Sequence, residues 1–214
     1  MNKSVLNALK AVAVLTVIAV VCVGLLAVCN MFFPKYVPTL DRATAAQINK
    51  ICPTDKEDGE AFDGGYIVML QEEDYDGDIA AFNKAHKSSK ATILAVYGEP
   101  KGKNAGAYVI EASATGRDGD VITLTAYRDG AIVGAMVKKQ GESYFSKLPD
   151  NLFDSVIGKV GDDVGLVNAI GKTGATITLT AIERALNLSG AFAGDYNTAI
   201  RTALADFSKE VGND

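Results

Sequence analysis

Between Gly165 and Leu186 the chain reads GLVNAIGKTGATITLTAIERAL, and two groups in it could do phosphate chemistry. The first is Gly171-Lys172-Thr173, which has the form of the end of a nucleotide-binding loop. Such a loop needs a further Gly with four residues between it and Gly171. That position is Leu166, and Gly165 stands one place too early, so the loop cannot close with its amides on a phosphate. No hydrophobic strand ending in Asp supplies a magnesium ligand either. The second group is Thr173-Gly174-Ala175-Thr176, two hydroxyls separated by two small residues ahead of a helical pattern. Taken alone, this is a loop and an N-cap: Thr caps helices well, and a neighbouring Gly permits an unusual backbone.

Other candidate chemistry is thin. His86 is the single histidine in 214 residues, so no triad can be built around it. Asp74, Asp76 and Asp78 alternate like the start of a calcium loop. Gly77 is misplaced for one, and no Glu follows at the required spacing, so they are expected to be solvated loop acids. There is no CxxC for zinc or an iron–sulfur cluster. Cys22 and Cys29 share one face of an apolar stretch, and Cys52 stands alone outside it, which leaves no disulfide framework. Tyr144 and Phe145 are aromatic enough either to stack on a planar ligand or to fill a core.

These groups must be positioned by the elements around them. From Ala11 to Phe33 there is no charge, and Thr16 and Asn30 are the only polar side chains. As a helix this stretch spans roughly 35 Å, enough for a hydrocarbon layer of about 30 Å. Its small-residue cleavage site is poor, so a retained single span is expected rather than a removed signal. Ala13, Val17, Val20 and Gly24 would share one face of it, suited to packing on another membrane helix. After residue 33 there are 26 acids against 19 bases, a balance that excludes nucleic acid as a partner. About 180 residues there suffice for one domain.

Asp41 is placed to cap a short juxtamembrane helix ending near Ile51, and Asp55 to Gly65 is expected to be a loop. Tyr66–Leu70 and Ala91–Tyr97 are strand candidates around a helix over Asp78–His86. AYVIEASA, VITLTAY and AIVGAMV are β-branched runs separated by Arg117-Asp118-Gly119 and Arg128-Asp129-Gly130, a strong hairpin signal. They predict an antiparallel meander from Ala107 to Lys138, with one face on helices and one partly open. Thr178–Leu188 and Asp195–Lys209 are expected to be two helices, parted at Gly190 and Gly194. The class is α+β: a tail over 1–10, a transmembrane helix over 11–33, a juxtamembrane helix and linker over 34–65, and a domain over 66–214.

The Thr-Gly-Ala-Thr motif resembles the site at which a flavin transferase attaches FMN through a phosphoester. That motif belongs to the G subunit of the Rnf ferredoxin:NAD+ oxidoreductase complex and to the C subunit of sodium-translocating NADH:quinone oxidoreductase. A single N-terminal span, a length near 200, the hairpin VITLTAYRDGAIVGAMVKK and a motif about forty residues from the C-terminus are most similar to the Rnf G subunit. The resemblance implies an antiparallel FMN-binding domain with Thr176 as the covalent acceptor and Thr173, Gly174 and Ala175 around it. A phosphoester there would sit at a helix N-terminus, where amides and the dipole favour an anion. It also implies Glu142 and Ser143 as cofactor-binding residues, because the family carries Glu-Thr-Pro-Gly-Leu-Gly where this chain has Glu142-Ser143-Tyr144-Phe145-Ser146-Lys147. Ile170 stands where the family has Asp; flavinylation is expected to tolerate Ile170, and Ile170→Asp to leave flavin occupancy unchanged or raise it.

The implied role is that of an electron-transfer subunit rather than an enzyme on its own. Its implied partners are multi-span membrane subunits and the flavin transferase. The domain would lie on the extracytoplasmic side of the membrane. The alternatives are a flavinylated domain of an extracellular or respiratory relay, and a C-type subunit of the quinone oxidoreductase.

Overall fold

The computed structural model describes residues 40–52, 67–100, 106–171 and 174–210, with positions 12, 13, 15, 16, 20, 21 and 24 of the N-terminal segment. The chain divides into two units, Met1–Val37 and Pro38–Asp214. In the first, the described positions are helical, and the Thr16 hydroxyl donates to the Val12 carbonyl at 2.9 Å. The span expected over 11–33 otherwise falls outside the described residues, as do positions 34–39 and 53–65 of the region expected over 34–65, including the loop expected from Asp55 to Gly65. Among the described residues no helix is long and apolar enough to cross a membrane.

The second unit is α+β. Its five-stranded antiparallel sheet runs in chain order, β1 (Val68–Leu70), β2 (Ala91–Gly98), β3 (Tyr108–Thr115), β4 (Asp120–Arg128) and β5 (Ala131–Lys139). The turns explain the simple order. Asp129 and Gly130 both have positive φ, 52° and 81°, which is the backbone of a tight hairpin turn whose twist matches the strands. The expected meander is therefore present, with its last strand ending at Lys139.

Strand alternation sorts the side chains onto two faces. On β4, Val121 and Tyr127 join the main core, while Leu124 and Ala126 face the opposite side. That second face is covered by α1 (Arg42–Ile51), which packs Ile48 on it. Asp41 caps α1, accepting from the amides of Ala43 and Thr44, both at 3.0 Å. Beneath α1 lies an ionic cluster: Glu111 accepts from the Tyr97 hydroxyl at 2.7 Å and from Lys138 at 2.8 Å. Cys52 is buried on this face, and burial, followed by the nearby Glu99 charge, pushes its thiol up to about 11.

The main core lies between the sheet and α4 (Thr176–Glu210), one helix of 35 residues, about 52 Å long. This corrects the expectation of two helices. The buried stripe Leu179, Ile182, Leu186, Phe192, Ile200 and Leu204 continues through Gly190 and Gly194. Two glycines each cost a helix about 1 kcal/mol, less than the burial of that stripe contributes. Gly190 marks a close approach and not a helix end: a Cβ there would stand 2.0 Å from the Gly161 carbonyl oxygen.

The remaining loop acids are used locally. Asp78 caps α2 (Ile79–Ala85), accepting from the Ala81 amide at 2.7 Å, and Asp74 accepts from the Gln71 amide at 2.7 Å. His86 stacks on Phe82 at 4.1 Å between ring centroids, a packing role.

The two helix glycines give opposite expectations. Gly190→Ala should lower stability by about 2 kcal/mol, because the Gly161 loop must move away. Gly194, with nothing within 4 Å of its missing Cβ, should gain up to about 1 kcal/mol as Ala. Denaturant unfolding of the two variants checks this. Stabilisation by both would mean that α4 is not in contact with the loop at Gly161.

Candidate functional site

Three segments converge at the start of α4: the β3–β4 turn, the chain leaving β5, and the residues after α3 (Leu166–Ile170). The centre of the convergence is Glu142, which is 5% exposed. Its Oε1 accepts from the amides of Asp118 at 2.8 Å and Gly119 at 3.1 Å. Its Oε2 accepts from the Thr178 hydroxyl at 2.6 Å. Burial acts to raise the Glu142 carboxyl, but the Thr178 hydroxyl and the amides of Asp118, Arg117 and Gly119 outweigh it and hold the group below the usual carboxylate range. A buried carboxylate with this many donors is a strut: it ties the sheet turn to the second residue after Thr176.

The turn itself is reinforced. The Gly116 amide donates to the Gly119 carbonyl at 2.8 Å, and the Ser143 amide donates to Asp118 Oδ2 at 3.0 Å. That amide, followed by the Ser143 hydroxyl, holds Asp118 below its ordinary range. From the other side, α3 is stitched to α4. The Val167 amide donates to Glu183, and the Val164 amide donates to Asn187 Oδ1 at 2.9 Å. Gly171 ends α3, its amide donating to the Val167 carbonyl at 2.9 Å. Ile170 packs partly buried against the main core. An Asp there would put a charge on apolar surface, a cost to stability that is separate from flavin occupancy.

The motif residues then fall as follows. Thr176 is the first residue of α4 and is exposed, Ala175 before it is buried, and Gly174 is exposed. Thr173 and Lys172 lie outside the described residues. Thr178, which the sequence did not single out, is buried beneath Thr176. Of the residues expected to bind the cofactor, Glu142 directs its carboxylate to Thr178 and the turn, and the Ser143 amide donates to Asp118 in that turn. The following residues form a small surface cluster. The Tyr144 ring lies beneath two cations, with the Arg117 guanidinium carbon 4.9 Å and Lys147 Nζ 4.5 Å from its centroid. Phe145 turns inward against the main core. Among the described residues no group of three or more His, Cys, Asp or Glu is arranged to hold a metal ion.

The arrangement can present one secondary-alcohol oxygen, that of Thr176, at the amino end of a long helix. The helix's amides and dipole favour an anion there. No family model matches the chain, and no curated protein or solved structure matches it.

Removing the strut's hydroxyl should be measurable in stability. Thr178→Val leaves a buried charged oxygen without its donor and should cost about 2 kcal/mol at neutral pH, with Thr178→Ser recovering most of it. Because the folded-state carboxyl of Glu142 is lowered, its contribution is present above the unfolded value of roughly 4.3. It is lost as pH falls through the folded value. The gap between wild type and Thr178→Val should therefore narrow on going from pH 7 to below about 4. Unfolding curves at both pH values test this, and a gap that stays constant would remove Glu142 as the cause.

Proposed function

We propose that this chain is a membrane-anchored electron carrier with FMN esterified to Thr176. It would serve as a subunit of an Rnf-type ferredoxin:NAD+ oxidoreductase complex. The observation that carries the reading is the placement of the motif: Thr176 exposed at the first position of a 35-residue helix, with Glu142 and Thr178 bracing that position from below.

The residues fit a phosphoester. Thr176 is an exposed residue, Gly174 two positions before it carries no side chain to block an approaching transferase, and the helix end favours the anion. Attachment forms a bond from Thr176 Oγ1 to the phosphorus of an activated FMN donor. The bond from phosphorus to the donor's leaving group breaks, and the hydroxyl proton passes to a base of the transferase. Bound FMN would supply one- and two-electron redox chemistry that no side chain here can perform. The chain's own contribution is to hold the ester on a rigid element. Thr178 and Glu142 fix the helix start against the sheet, and the start of α3 is bonded to Glu183 and Asn187 of the same helix. A site on braced secondary structure keeps the cofactor's position, which electron transfer over short distances requires.

The N-terminal segment supports an anchor. Ala11 to Phe33 is uncharged, and the side chains of Val12, Leu15, Val20 and Val21 are exposed, apolar surface that a membrane or a membrane partner would cover. The partners under this reading are the multi-span subunits of the complex and the flavin transferase, with the domain outside the cytoplasm. The loop Glu142–Lys147 departs from the Rnf pattern after its first residue, which favours a second reading, a flavinylated relay domain outside such a complex. Copurification with multi-span subunits separates the two.

Full-length protein from cells that hold an active flavin transferase should be heavier than its sequence by one FMN less one water. It should give a fluorescent band on a denaturing gel. Thr176→Ala should lose both the added mass and the band while folding normally. An unmodified mass from such cells, with a control substrate flavinylated beside it, would overturn the reading.

A further inference from the structure

Lys147 is placed against its local electrostatics. Its side chain lies on Gly174: a Cβ built there would stand 2.8 Å from Lys147 Cδ and 3.2 Å from Nζ. Its ammonium is held over the Tyr144 ring at 4.5 Å, a contact that orients it. Gly174 lies two residues before the start of α4, so this cation stands at the helix's positive end. A cation is disfavoured there, because the end of an α-helix dipole behaves as roughly half a positive charge. Arg117 adds a second cation over the same ring. It has an acid beside it, with Nε 3.8 Å from Asp118 Oδ1, while among the described residues no ion pair involves Lys147.

Two carboxylates lie close by, but both are engaged, Asp118 beside Arg117 and on the Ser143 amide, and Glu142 on the turn amides and Thr178, so among the described residues Lys147 stands near the positive helix end with no anion paired to it. The absence of a side chain at position 174 is what lets Lys147 lie there. A Cβ at 2.8 Å from a methylene would push the chain off the motif.

We propose that Lys147 is the phosphate partner of this site, an ammonium pre-positioned by Tyr144 and Gly174 to pair with the anionic phosphodiester on Thr176. The proposal rests on the reading of Thr176 as the acceptor. Nothing in the motif itself identifies Lys147, which is 29 positions away along the chain. The role is electrostatic and shared with the helix end. It predicts opposite effects of one substitution in the two forms of the protein. Without the ester, Lys147 opposes the helix dipole; with it, Lys147 and the dipole bind the same anion.

The test is a cycle on the full chain, produced with and without an active flavin transferase, comparing wild type, Lys147→Gln and Lys147→Arg. Loading is read by intact mass and stability by melting temperature. Unesterified Lys147→Gln should melt at or about 1–2 °C above unesterified wild type, since a misplaced cation has gone. Esterification should raise the wild-type melting temperature by about 3–5 °C, an increment that shrinks in high salt. In Lys147→Gln that increment should fall by half or more, and Lys147→Arg should keep it. The initial rate of loading should fall about tenfold in Lys147→Gln. An increment and a loading rate in Lys147→Gln equal to wild type would overturn the role of Lys147 while leaving Thr176 as acceptor. A wild type that never gains mass beside a flavinylated control would overturn the reading on which the role rests.

Discussion

A single buried carboxylate organises the end of the molecule that carries the proposed acceptor, Thr176. Glu142 receives two turn amides and one threonine hydroxyl, and its charge is kept in a site with almost no access to water. Such a group is unfavourable to bury unless its donors are all present, so each donor is held as firmly as it holds the carboxylate. The consequence is geometric. The β3–β4 turn, the chain after β5 and the first turn of α4 cannot shift independently, and Thr176 inherits their rigidity.

The length of α4 serves the same end. A helix of 35 residues packed along a five-stranded sheet has its amino end located by contacts spread over its whole buried stripe. The start of α3 is held to the same helix separately, by Glu183 and Asn187 reaching back to the backbone of residues 164 and 167. A phosphate ester at such a position would be held by an element that does not need to reorganise when the ester forms.

Much of this was legible locally. The Asp-Gly pairs marked both hairpins, and at Asp129-Gly130 the reason is a positive-φ turn, which is a property of two residues. Asp41 and Asp78 gave helix starts, because a cap is a contact within three positions. The short strand near Leu70 and the helix before His86 were also expected. The expectation of a helix break at Gly190 failed because propensity was weighed and packing was not. The glycine is explained by the Gly161 carbonyl, almost thirty positions earlier, and nothing nearby signals it. The bond from Thr178 to Glu142 spans 36 positions and was invisible for the same reason. An alternation of buried and exposed residues that continues unchanged across Gly190 was the one signal that could have shown a single helix. Lys147 gives no local signal, because its contacts with Gly174 and the Tyr144 ring form only in the folded chain.

The account turns on one oxygen atom. Trypsin cleaves after Lys172 and Arg184, so the motif is released as one peptide, Thr173 to Arg184, containing four threonines. Fragmentation of that peptide from protein made beside an active flavin transferase should place the added FMN on Thr176, with Thr173, Thr178 and Thr180 unmodified. The same peptide unmodified, or carrying the flavin on any of the other three threonines, would contradict the account.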